Sequence, residues 1–230
     1  MQIEISEFEE GARQARGLTV IIDVFRAFSV ECYAVDSGAS RIIATGDPEE
    51  AFRLREKYPS ALLAGERNER KIPGFDFGNS PTEIIKSDLN GKTFIHTTTA
   101  GTAGLVNAVN ADILISGSLV NASAVARYIY ERKPGRVSLV AMGYRATIPA
   151  EEDLLCAEYI KSMIEGRNED FDDRIAALRH TAGKRFFANE NIDFSPPTDF
   201  FLCIMKDRFD FVLRAERRND GNMNMIRTDF

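Results

Sequence analysis

Asp23 closes the apolar run TVIID, and Arg26 follows it closely in the chain. A carboxylate at the end of a buried strand can hold Mg²⁺ or act as a nucleophile, and a nearby guanidinium can bind an oxyanion through two parallel bonds. The same Asp23 would serve as cap for a helix starting at Phe25, and this pair alone leaves the two readings even. A second concentration lies at 65–81, GERNERKIPGFDFGNSP, where carboxylates, cations and glycines run together without hydrophobic periodicity. Such a loop is uncommon in a compact domain unless it has a task. Its makeup suits an anionic ligand together with a metal ion. Glu66, Arg67 and Asp76 supply the charge, and Asn79 and Ser80 lead into a helix start at Ser80-Pro81.

A third stretch, TTTAGT at 97–102, turns from a strand into a helix. Backbone N–H groups at a helix start, with the hydroxyls of Thr98, Thr99 and Thr102 and the open approach at Gly101, predict a phosphate cradle. An ordinary threonine-rich turn is an equal reading, and the lysine spacing of a Walker loop is missing. Residues 77–81 form a second candidate cradle. Glu151-Glu152-Asp153 opens a further helix, where acids most often complement the helix dipole and otherwise handle metal or water.

Familiar phosphatase chemistries are excluded by what is missing. No Asp-x-Asp follows the strand before Asp23, no cysteine has an arginine six residues later, and no Arg-His-Gly occurs. His96 and His180 are too few for a histidine-rich binuclear centre and read as core or surface histidines. The remaining metal donors are hard carboxylates, Asp23, Glu66, Glu152 and Asp153, which suit Mg²⁺.

The elements that would position these residues alternate. Apolar runs at 18–22, 41–44, 61–64, 93–96, 112–115 and 137–141 read as strands, with a last strand at 209–213. Helical patterns fall at 25–37, 101–109, 121–131, 151–164, 171–179 and 198–205. Gly38 is a natural helix stop, and Asp47-Pro48-Glu49-Glu50 is a helix start. Alternation of this kind predicts an α/β fold, a three-layer α/β/α arrangement with a mostly parallel or mixed sheet. Ligands of such sheets sit at the carboxyl ends of the strands, where the polar and glycine-rich turns fall. Residues 1–230 read as one domain, with a change of character near 145–150.

A net charge of −6 argues against a nucleic-acid partner, and the arginine run at 214–218, broken by Glu216, reads as a solvated tail. No apolar stretch approaches the roughly 18 residues of a membrane span, and the acidic opening residues lack a signal core, so a cytoplasmic protein is expected. Cys32, Cys156 and Cys203 sit in apolar surroundings as core thiols. The phenylalanines at 186, 187, 194, 200 and 201 suggest a homo-oligomer, most simply a dimer.

Together VIIDVFRAFS at 20–29, GER at 65–67, GFDFGNSP at 74–81, TTAGT at 98–102, NASAV at 121–125 and EDLLCAEYI at 152–160 resemble the 2-phosphosulfolactate phosphatase (ComB) family. The resemblance covers most of the chain in family order. It implies a ComB-like α/β fold and a Mg²⁺-dependent acid phosphatase that converts 2-phospho-3-sulfolactate to sulfolactate and phosphate, as in coenzyme M biosynthesis. Carried over by position, Asp23, Arg26, Ser29, Glu66, Arg67, Asp76, Asn79, Ser80, Thr98, Thr99, Gly101, Thr102, Glu152 and Asp153 fall on its motifs. Chemistry then assigns Asp23, Arg26, Glu66, Glu152 and Asp153 to catalysis and the carboxylates among them to metal. Ser29, Arg67, Asp76, Asn79, Ser80, Thr98, Thr99, Gly101 and Thr102 are assigned to the substrate. Ala100 stands where the family pattern tends to have Asn, and Glu69 where it tends to have Gly. The alternatives are a phosphatase of another small phosphorylated carboxylic acid and a non-catalytic binder of anionic metabolites.

Overall fold

The central strand β2, Gly17–Ile22, is buried from Leu18 to Ile22 because helices cover both of its faces. In the computed structural model, which describes residues 1–167 and 169–229, Ile21 packs toward α1 (Phe8–Gln14), α2 (Ala27–Asp36) and α5 (Gly101–Asn107). Leu18, Val20 and Ile22 face the other way, toward α6 (Ala122–Arg132), α7 (Glu151–Ile164) and α8 (Asp172–Ala177). Period-two alternation along one strand thus builds both cores of the α/β/α arrangement. A third core lies under α3, Pro48–Lys57, where Ala51 and Leu54 meet Ile43, Leu63 and Ile95.

The sheet holds ten strands among the described residues, in the order β1-β8-β2-β7-β9-β10-β3-β6-β4-β5. One parallel block contains β1 (Gln2–Glu7), β8 (Arg136–Ala141), β2 and β7 (Ala111–Gly117). The other contains β3 (Arg41–Ala44), β6 (Thr93–Thr97) and β4 (Leu62–Arg67), with the short β5 (Arg70–Lys71) turned back on β4. Between them runs the antiparallel hairpin of β9 (Val212–Arg217) and β10 (Met223–Thr228). The pairings β7–β9, β9–β10 and β10–β3 are all antiparallel, so the second block runs opposite to the first. The polar turns therefore do not share one rim of a flat parallel sheet. Accumulated strand twist, with α2 and α5 packed across the join, lets the turns after β2, β8, β4 and β6 meet.

Local signals hold where capping chemistry is explicit. Asp47 accepts from the N–H of Glu49 at 3.0 Å with Pro48 opening α3, Ser80 likewise accepts from the N–H of Glu83 at the start of the short α4 (Pro81–Ile84), and Gly38 ends α2 with a φ of 92°. The arginine run is not a tail: residues 214–217 lie inside β9, where Leu213 and Ala215 are buried and Arg214 and Glu216 point outward. The last strand thus begins later than the expected 209–213, and the sequence pattern did not mark β10, where buried Met223 and Met225 flank Asn224 and Ile226 is exposed. Phe186 and Phe200 fill the protein's own core, which leaves Phe201 as the large exposed aromatic of that stretch. The three cysteines are buried and free. Among the described residues no helix is long and apolar enough to cross a membrane.

Candidate active site

Asp23 leaves the end of β2 and lies buried, its Oδ1 accepting from the N–H of Ala27 at 3.1 Å. It thus caps the start of α2 with one oxygen and borders a polar cleft whose lining also includes Glu66, Asn79 and Thr99. Glu66, at the end of β4, accepts from the N–H of Glu69 at 2.8 Å and from that of Thr99 at 2.7 Å. The loop at 65–81 and the threonine loop are thereby tied to each other. A Cβ at Gly101 would stand 2.7 Å from the Cβ of Ala27 and 2.8 Å from Asp23 Oδ2. Glycine here serves the close seating of α5 against Asp23, rather than the approach of a ligand.

Glu152 and Asp153 open α7 and are buried, while Glu151 beside them is exposed. Only Glu151 fits the ordinary role of a solvated dipole complement. Asp153 accepts from the N–H of Val24 at 2.8 Å and of Gly143 at 2.9 Å, which ties the turn after β2 to the turn after β8. Glu152 Oε2 is buried without a hydrogen-bond partner. Burial pushes the Asp23 carboxyl from 3.8 up to about 6, against the Ala27 N–H and with Glu66 adding to the rise. Burial likewise pushes Glu152 from 4.5 up to about 7, against the pull of Arg185 and with Asp23 adding to the rise. Asp153 is driven well above the carboxylate range by burial, then by Asp23 and Glu152.

Several expected residues are engaged elsewhere. Arg26 borders the cleft, but its Nη1 donates to Asp199 Oδ2 at 2.6 Å and to the Phe194 carbonyl at 2.7 Å. Asp199 Oδ1 also accepts from the Ser80 hydroxyl at 2.8 Å and the Thr82 N–H at 2.9 Å. Arg26 and Ser80 therefore join through Asp199, on α9 (Pro197–Cys203), into one buried polar knot. Arg67 donates to the Glu66 and Gly46 carbonyls and to Thr97 Oγ1, and Asp76 accepts from the Leu63 N–H and pairs with Arg55. Ser29 donates to the Val24 carbonyl and shares a hydrogen bond with Ser118, away from the cleft. Thr98 and Thr102 bond reciprocally, each hydroxyl accepting from the other's N–H. Their cradle is thus closed upon itself. Thr99 lines the cleft with an Oγ1 that is buried and unpartnered.

Asn79 also lines the cleft and is held from behind by His96, whose ring spans Asn79 Oδ1 at 3.2 Å and Glu31 Oε1 at 3.0 Å. His96 is the satisfied core histidine its apolar strand suggested. Sequence reasoning missed Arg185, on the 3-10 helix Ala182–Phe187, which enters the cleft from the far end of the chain. It also missed Asp199. An arginine among phenylalanines and an acid after a proline carry no signal that separates them from surface residues.

Among the described residues, no three carboxylate, histidine or cysteine side chains are grouped to hold a metal ion. Mg²⁺ needs less from a protein, because it keeps several waters and takes one or two carboxylates together with substrate phosphate. Asp23 and Glu152 fit that demand: both are hard donors whose like charges oppose each other, and Glu152 Oε2 lacks any partner.

The chain matches the family described as 2-phosphosulpholactate phosphatase over residues 5–216. It is 34% identical over 228 residues to a protein of Bacillus subtilis named "Probable 2-phosphosulfolactate phosphatase", covering 98% of each chain. Proteins with the same name from Caldanaerobacter subterraneus subsp. tengcongensis and Carboxydothermus hydrogenoformans are 40% and 44% identical over 157 and 130 residues. Those two matches take in 66% and 56% of this chain and span 64% and 54%, less than two thirds, of the relatives' own length.

Proposed function

The chain belongs to the 2-phosphosulfolactate phosphatase family of phosphoric monoester hydrolases, and on that premise we propose that it hydrolyses 2-phospho-3-sulfolactate to 3-sulfolactate and phosphate with Mg²⁺, as in coenzyme M biosynthesis. The observation that carries the reading is the meeting of Asp23 and Glu66, from separate elements, with Arg185 on one polar cleft, while the buried Glu152 feels the charges of Asp23 and Arg185. A receptor for anions alone gains nothing from several acids beside its ligand. The family match favours the sulfonated substrate, and the charge pattern of the cleft supports the wider class of small phosphorylated acids.

Asp23 and Glu152 would hold the metal ion. When bound it supplies charge to offset the transferring phosphoryl group and lowers the pKa of water. The chain's own groups do the positioning. Thr99 and Asn79 line the cleft and would offer hydrogen-bonding groups to phosphoryl oxygens, the buried Thr99 Oγ1 being without a partner, and Arg185 brings positive charge to the cleft. Asp153 fixes the turns that carry Asp23 and Gly143, and Glu66 fixes the turn that carries Thr99. In the overall reaction water forms the new P–O bond, the ester P–O bond breaks, and the released alkoxide takes a proton to become the hydroxyl of sulfolactate.

Phosphate release from a panel of phosphorylated acids, with Mg²⁺ and with excess EDTA, tests this reading. Metal-dependent release with 2-phospho-3-sulfolactate turned over best is expected. Full activity in EDTA, or no release from any member, would overturn it.

A further inference from the structure

The hairpin between β4 and β5 pairs Glu66 with Lys71 and Arg67 with Arg70, leaving Asn68 and Glu69 as its two turn residues. Both have positive φ, 55° and 66°, the geometry of a two-residue turn that favours glycine in its second place. A glutamate there is held in an unfavourable backbone region, and such an outlier points to a task for its side chain. That side chain reaches into the cleft, where Glu69 Oε1 lies 3.0 Å from Arg185 Nη1.

Arg185 is built into the site rather than swung out from the surface. Its Nη2 donates to the Phe25 carbonyl at 3.1 Å, and the Phe25, Tyr144 and Phe186 rings lie within 6.0 Å of the guanidinium. Its Nε is buried and has no partner. The guanidinium is therefore anchored by one edge, carries an unsatisfied donor, and meets a carboxylate of its own chain. Of the other two arginines lining the cleft, Arg26 is already committed to Asp199, and Arg145 is exposed, with its guanidinium 5.3 Å from the Tyr144 ring, so neither is as firmly held and as open to a ligand as Arg185.

Resting on the phosphatase reading above, we propose that Arg185 binds the non-reacting acidic group of the substrate, a carboxylate or sulfonate, and that Glu69 competes for the same fork and so sets substrate choice. The reacting phosphoryl group lies against Asp23 and Thr99, and the second acid lies toward Glu69 and Arg185. A phosphomonoester with a neighbouring strong acid displaces Glu69 and gains a charge-assisted bond. A phosphomonoester of a neutral alcohol leaves the internal pair closed and gains nothing there.

The test compares kcat/KM for 2-phospho-3-sulfolactate with kcat/KM for phenyl phosphate in wild type, Glu69→Gln, Glu69→Gly, Arg185→Gln and Arg185→Lys. The ratio should rise about three- to tenfold in both Glu69 variants, mainly through KM for the diacid. It should fall about tenfold or more in Arg185→Gln and less in Arg185→Lys, since one charge-assisted bond at about 1.4 kcal/mol is a factor of ten. Glu69→Gly guards against misfolding, because glycine suits the turn. Direct binding of 3-sulfolactate by calorimetry is read beside turnover. It should tighten in the Glu69 variants and weaken in Arg185→Gln even if no phosphomonoester is hydrolysed, which would separate failure of this inference from failure of the phosphatase reading. A ratio and a sulfolactate affinity unchanged in folded variants at both positions would overturn the inference. So would loosened sulfolactate binding in the Glu69 variants.

Discussion

Replacing Glu152 with glutamine tests the electrostatics of the buried acids most cleanly. In the metal-free protein Glu152 rises from 4.5 to about 7 on folding, so the native state holds its proton more tightly than the unfolded chain. Below about pH 4.5 the group is neutral in both states and costs nothing. As pH rises toward 7 the unfolded chain ionises first, and stability falls until the cost is complete above the folded value. At about 1.4 kcal/mol per pKa unit, the full cost is roughly 3 kcal/mol. Glu152→Gln removes that cost, including the part that the Asp23 charge adds to it. Urea unfolding in EDTA should therefore show the variant gaining about 2 to 3 kcal/mol over wild type at pH 8 relative to pH 5. An identical difference between the two proteins at both pH values would refute the reasoning.

Asp199→Ala leaves Arg26 buried without its partner and should cost about 3 to 5 kcal/mol in urea unfolding, far more than loss of an exposed pair. Gly101→Val places side-chain atoms against Ala27 and Asp23; it should lower stability by about 1 to 3 kcal/mol and lower turnover by shifting Asp23. In a thermal-shift series, Mg²⁺ should raise Tm more at pH 8 than at pH 5, because only the ionised acids gain from the cation. An equal shift at both values would remove the acids from the metal's binding.

The sequence announced the acids but not what each one touches. Asp23 at a strand end, Glu66 after a buried run and the threonine loop were legible because strand ends and turn residues leave local marks, and the structure gathers all three. Burial separated Glu152 from Glu151, two adjacent acids that look alike in sequence. Arg26 and Arg185 show the limit clearly. Arg26 stands beside the strongest motif yet is committed to Asp199, while Arg185 stands in an unmarked phenylalanine stretch and enters the cleft. Both outcomes depend on the last third of the chain folding back over the turn after β2, and no local pattern encodes that. The strand alternation correctly predicted a layered α/β fold. The reversal between its two parallel blocks depends on β9, whose outward Arg214 and Glu216 hid the period of two, and on β10, where the exposed Ile226 and the Arg227 in phase with Met223 and Met225 blur it.

The central claim is that Asp23 serves chemistry at this cleft and not merely the capping of α2. The direct measurement is kcat/KM for 2-phospho-3-sulfolactate in Asp23→Asn with saturating Mg²⁺, beside its unfolding free energy. Asparagine retains an oxygen that can accept from the Ala27 N–H, so the fold should hold. The account predicts a loss of about a hundredfold or more in kcat/KM, the scale on which removal of a reacting-centre group is felt. A folded Asp23→Asn protein within threefold of wild type would contradict it.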